Sequence, residues 1–205
     1  MLFIMKQKKY NYNKIRNRVR KIIKTACYAK ENKFKDTVWN YHILPVVKHS
    51  LTLGKKFRAD LEILELAALL HDYAAIIKSG KLYKNHHLQG AELAEEILRP
   101  LNYPEDKIKC IKECIKSHRG SVIISKKNIE AKILASADAM SHITELADMF
   151  YLTYGVHKYK TYEGAKWLKN KLQRSWNKIM PAGRKIVKAN YNFAIKILDR
   201  VLDKK

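Results

Sequence analysis

Five residues carry side chains at odds with their surroundings: His42, His71, Asp72, His118 and Asp138. Asp72 follows the most apolar stretch of the chain, Leu61 to Leu70, and has Leu69, Leu70, Ala74 and Ala75 around it. If that stretch is a helix, its dipole disfavours an anion at this end, and a buried carboxylate needs a partner. A bound cation is the simplest one. His71 precedes Asp72, so a neutral imidazole and an anionic carboxylate could reach one ion. His42 is four residues from both Val38 and Val46. His118 continues the apolar face of Ile108, Ile111 and Ile115. Asp138 sits in Ala-Ser-Ala-Asp-Ala (135–139), four after Leu134, where small neighbours allow close approach. Any one of these alone reads as a hydrogen-bonded core histidine or a surface charge; together they predict a metal site. The donor mix suits Mn, Fe, Co or Zn. Such an ion lowers the pKa of bound water toward roughly 7, which makes hydroxide available at neutral pH.

Arg119, beside His118, has the fork geometry for a phosphate, and equally suits a helix-end surface position. Lys81 and Lys84 are placed to attract an anion, although a solvated loop explains them better. His49, His142 and His157 have no motif around them and read as structural or exposed. Tyr151, Tyr154, Tyr159, Tyr162 and Trp167 suit stacking on a base or ordinary helix packing.

The elements that must position these residues are helical almost throughout. Ile15, Val19, Ile22, Ile23 and Ala26 define one face of a first helix. A second spans about Trp39 to Leu53, ends near Gly54, and carries Pro45 one turn inside, where a hydrogen bond is lost or the axis bends. Asp60 caps a third, Leu61 to Leu70, with Glu62 and Glu65 in its first turn. Residues 73–85 read as a loop turning at Gly80. Helices follow at 87–99, at 105–117 (closed by Gly120), and as one or two over 128–152. The last two, 161–179 and 182–203, are separated by Pro181. Strand-like alternation is weak and confined to Ser121–Ser125. The expectation is an all-α, single-domain helical bundle.

Composition limits the function classes. The chain has 205 residues, 47% hydrophobic and 30% charged, as expected of one globular domain. No apolar run approaches ~18 residues, which argues against a membrane partner. No glycine-rich phosphate loop is present. Three cysteines, Cys27, Cys110 and Cys114, with no signal-like leader predict reduced thiols in a cytoplasmic protein. The net charge of +23 is uneven. Residues 1–35 carry 12 Lys+Arg against one acid, 156–205 carry 14 against 3, and 36–155 carry 16 against 15. The expected organisation is a basic N-terminal helical extension (1–35), a catalytic core (36–155) and basic C-terminal helices packed on it (156–205). Apolar periodicity runs through both basic ends, so solvated lysine faces are favoured over nucleic-acid binding. Oligomeric state is not legible.

The order His42, His71-Asp72, Asp138 resembles the signature of the HD superfamily of metal-dependent phosphohydrolases. Trp39-x-x-His42, Ala67-Ala68-Leu69-Leu70-His71-Asp72, His86-His87-Leu88-Gln89-Gly90-Ala91, Cys114 to Gly120 and Ala135 to Ala139 resemble its successive elements over about residues 38–145. The resemblance implies helices around a metal held by His42, His71, Asp72 and Asp138. It further implies a second ion on His86 and His118, with Asp72 bridging and orienting the nucleophile; His87 is the alternative to His86. His118 then completes the second site or protonates the leaving group. The implied activity is hydrolysis of a phosphoester or phosphoanhydride bond in a nucleotide or related small phosphorylated substrate, with one or two divalent ions. The Glu-Asp pair of guanosine-tetraphosphate hydrolases and the Gly-Tyr-Pro element of cyclic-di-nucleotide phosphodiesterases are absent, and Pro45 stands near a position where relatives often carry a basic residue. His71-Asp72-Tyr73-Ala74 is closer to hydrolases that split diadenosine tetraphosphate, but the stretch from Asp72 to His86 is short for them. The same ligand order also permits a di-iron oxygenase, and the basic ends permit a non-catalytic nucleic-acid-binding module.

Overall fold

A computed structural model describes residues 10–32, 34, 37–77, 85–119, 126 and 128–204. Among them the chain is helical: α1 (Tyr12–Cys27), α2 (Leu44–Phe57), α3 (Leu61–Leu70), α4 (Tyr73–Ile77), α5 (His86–Leu98), α6 (Glu105–Ser117), α7 (Ile129–Thr144), α8 (Leu146–Phe150), α9 (Thr161–Lys178) and α10 (Pro181–Leu202). Lys81, Lys84, Gly80, Gly120 and the Ser121–Ser125 stretch lie outside the described residues.

The helix boundaries follow local chemistry. Asp60 caps α3 by accepting from the backbone N–H of Glu62 and Ile63, at 2.9 and 3.2 Å. Asn11 and Asn128 cap α1 and α7 in the same way. Pro181 does not merely separate the last two helices; it opens α10, where its missing N–H costs nothing. Two expectations need correction. The second helix is continuous but not uniformly α: its opening turn, Trp39–Ile43, is π-helical, and α2 follows directly from Leu44, running past Gly54 to Phe57. Pro45 accounts for the π turn, because it has no N–H for the preceding turn. The chain widens instead, and the N–H of Leu44 donates to the carbonyl of Trp39 five residues back. Residues 73–77, expected as loop, form the short helix α4.

α3 is buried nearly all round, with Leu64, Leu66, Leu69 and Leu70 fully covered. Each such leucine contributes roughly 2 kcal/mol. α7 is the other interior helix, and every residue from Ile133 to Ser141 is buried. Its small side chains let α2, α3, α6, α9 and α10 all pack against it. Apolar side chains form one cluster built largely from α1, α2, α3, α5 and α6, and a second largely from α7, α9 and α10. α3 and α7 contribute to both, so residues on them are held from two sides.

Candidate metal centre

The five residues at odds with their surroundings converge, and others join them. His42 lies on the π segment, His71 and Asp72 between α3 and α4, His86 at the start of α5, His118 just beyond α6, and Asp138 within α7. Asp72 is at the middle of the arrangement. Its Oδ2 faces His42 Nε2 at 3.2 Å and His71 Nε2 at 3.5 Å. Its Oδ1 faces His86 Nε2 at 3.4 Å and His118 Nε2 at 3.5 Å. The two oxygens of one carboxylate thus address two separate imidazole pairs. Asp138 closes the first group, with Oδ1 3.7 Å from His42 and 4.0 Å from His71. His87 is buried beside His86 but outside both groups.

The imidazoles are oriented by their other nitrogen. Nδ1 of His71 lies 2.8 Å from the Ala68 carbonyl, and Nδ1 of His118 lies 2.6 Å from the Ile115 carbonyl. A carbonyl can only accept, so each Nδ1 carries the proton and each Nε2 is left with a lone pair. Nδ1 of His42 is 3.1 Å from Ser141 Oγ, whose own proton goes to the Asp138 carbonyl. Histidines that hold metals are fixed in this way.

The electrostatics call for positive charge at the same point. Burial holds His71 down to about 4, so it stays neutral. Burial also opposes a proton on His42, but the Asp72 and Asp138 carboxylates outweigh it and raise its pKa. Burial alone would raise both carboxyl pKa values; His71, His118 and His42 hold Asp72 well below the usual range, and Lys178 does the same for Asp138. The chain therefore keeps two carboxylates ionised and in contact with lone-pair nitrogens, a donor set that fits a divalent cation.

Several residues at the site carried no signal in the motifs. His142 lies one turn beyond Asp138, with Nε2 3.6 Å from Asp138 Oδ1 and its ring stacked on His42. Its spacing of four from Asp138 was the available clue, since such pairs share a helix face. Burial and then Lys171 hold the His142 pKa well below its ordinary value. Its Nδ1 is 3.1 Å from Ser175 Oγ. Lys178 Nζ donates to Asp138 Oδ2 at 2.5 Å and to the His118 carbonyl at 3.0 Å. A cavity of about 180 Å³ is walled by Asp72, His86, His118, Asp138 and His142 on one side. Arg119 and the α9 residues Lys171, Arg174, Ser175 and Lys178 wall the other. A smaller cavity of about 70 Å³ adjoins it through Asp72, His142 and Lys171, with Phe34, Val38, Ile76 and Tyr151 in its wall. Tyr159 and Trp167 pack with His157 instead.

The HD domain family model matches residues 40–143, just over half of the chain, and the chain belongs to that family. Solved structures share the fold. One is a predicted HD superfamily hydrolase from an uncultured Thermotogales bacterium, with 19% identity and a TM-score of 0.63 over 92% of this chain and 91% of that one. Another is Bacillus subtilis YpgQ, with 18% identity and a TM-score of 0.70 over 93% and 95% of the two chains. The complex of YpgQ with ADP gives 17% identity and a TM-score of 0.70 over 95% and 96%. No curated protein matches the chain. No helix among the described residues is long and apolar enough to cross a membrane.

Proposed function

We propose that this chain is a metal-dependent phosphohydrolase that cuts a phosphoester or phosphoanhydride bond in a nucleotide or related small phosphorylated substrate. The observation that carries the reading is the division of Asp72, one oxygen toward His42 and His71 and the other toward His86 and His118. That is the arrangement a bridging carboxylate needs. His42, His71, Asp72 and Asp138 would hold one divalent ion, and Asp72, His86 and His118 a second. Bound there, the cation would supply acidified water and neutralise charge on phosphoryl oxygens.

The chain's own residues do the rest. Asp72, between the two imidazole pairs, would orient the nucleophile. His118 gives its Nδ1 proton to the Ile115 carbonyl and presents a lone pair to the centre, so it suits holding a cation better than protonating a leaving group. Lys178 ties Asp138 and the end of α6 together and keeps Asp138 Oδ1 turned toward the imidazoles. Arg119 stands in the cavity wall within reach of an anion. The apolar side of the adjoining cavity suits the organic part of a nucleotide, and the complex of YpgQ with ADP supports that class of ligand.

The test is elemental analysis of the purified protein combined with phosphate release over nucleotides and dinucleoside polyphosphates, with Asp72→Ala as the control. The reading expects metal-dependent release that this substitution abolishes, with helix content kept. Undiminished turnover in Asp72→Ala would contradict it.

A further inference from the structure

α9 lies beyond the residues matched by the family model, yet it forms a full wall of the main cavity. Lys171, Arg174, Ser175 and Lys178 follow one another at spacings of three, one and three, which puts them on one helix face. Leu168 and Leu172 on the same helix are fully buried, and the cationic strip flanks them, with Lys171 and Lys178 half-buried and Arg174 exposed at the cavity rim.

The charges in the cavity do not balance. Leaving Arg119 aside, three α9 cations, Lys171, Arg174 and Lys178, share it with two carboxylates, Asp72 and Asp138. Lys178 is matched by Asp138. Lys171 is half-buried, and among the described residues its hydrogen-bond partner is the His142 ring at 3.4 Å. Arg174 has no acid within ion-pair distance among the described residues. Any divalent ion held by the histidines adds at least two further positive charges. A phosphate monoester brings at most about two negative charges and leaves a surplus beside α9. A run of phosphates brings more charge and extends away from the reacting phosphorus. The cavity, about 180 Å³, is bounded on both sides by named side chains. That admits phosphate groups but not a nucleic-acid duplex.

We infer that the α9 face of Lys171 and Arg174, with Arg119 opposite, is a subsite for the non-reacting phosphates of a substrate carrying two or more in a row. The inference rests on the phosphohydrolase reading and names its substrate class, a nucleoside di- or triphosphate in preference to a monophosphate. Lys171 and Arg174 are specificity-determining side chains, and α9 reads the length of the phosphate chain.

Calorimetric titration of the metal-depleted 205-residue chain with phosphate, pyrophosphate and tripolyphosphate tests this without turnover. Tripolyphosphate is expected to bind at least tenfold more tightly than phosphate. Arg174→Ala and Lys171→Met should each weaken tripolyphosphate at least fivefold and phosphate less than twofold, with Arg174→Lys recovering most of the loss. Arg174 is exposed, so its replacement leaves the fold intact, as a thermal melt would verify. Equal affinity for the three anions, or tripolyphosphate binding indifferent to both substitutions, would overturn the inference. Failure of the metal-loaded chain to hydrolyse any phosphoester sinks the hydrolase reading instead, and the titration still decides whether α9 binds phosphate chains.

Discussion

The Nε2 atoms of His42 and His71 face one another across 3.1 Å, each ring anchored through its other nitrogen. Two lone pairs at that separation repel. Positive charge between them relieves that repulsion, and under the proposed function a divalent cation would supply it. The raised pKa of His42, driven against burial by Asp72, is the protonic form of that demand.

Ser141 should matter to metal binding although it touches no cation. It accepts from His42 Nδ1 and donates to the Asp138 carbonyl, fixing the ring that the centre uses. Ser141→Ala is expected to weaken metal affinity by roughly 10–100-fold at nearly unchanged helix content. Competition with a fluorescent chelator measures it, and a loss below threefold would show that His42 is oriented by packing alone.

Gly90 tests how closely α5 must approach the His71-Asp72 junction. A β-carbon there would sit 3.4 Å from Ile115 Cγ2 and 3.5 Å from the His71 carbonyl oxygen. Alanine fits at those distances and gains up to about 1 kcal/mol of helix propensity, so Gly90→Ala should be neutral or mildly stabilising. Gly90→Leu must push α5 away, costing about 1–3 kcal/mol and withdrawing His86 from Asp72. Denaturant unfolding of both variants separates these outcomes; wild-type stability in Gly90→Leu would refute the close approach.

His49 predicts a pH dependence of stability remote from the centre. It is buried against Thr144, with Nε2 3.2 Å from its hydroxyl. Burial and the adjacent Lys48 push its pKa down to about 4, against about 6.5 unfolded. The unfolded chain therefore takes up a proton below 6.5 that the folded chain refuses. The stabilisation is complete above 6.5 and is lost as pH falls to about 4, by at most about 3 kcal/mol. Stability curves of wild type and His49→Gln should converge in slope above pH 7 and diverge between 6.5 and 4. Parallel curves across that window would show that His49 titrates normally.

Much of the fold was legible because burial imposes periodicity: the cap at Asp60 and the apolar run of α3 follow from residue type. The convergence of His42 and His71 on Asp72 and Asp138 was legible because carboxylates at buried positions are costly and therefore informative. His142 was not, since a histidine one turn past an aspartate carries no such cost on its own. The α9 cations were hidden by composition: in a segment with 14 basic residues, sequence gives no sign of which lysines face inward. Pro45 signalled a disturbance, but only packing decides that the chain widens there rather than bends.

The central claim is that Asp72 joins two cation sites, and metal stoichiometry tests it most directly. Elemental analysis after reconstitution with Mn should find two ions per wild-type chain, one in His86→Ala, and none retained in Asp72→Ala. Two ions retained in Asp72→Ala, or none bound by the wild type at any Mn concentration tried, would contradict the account.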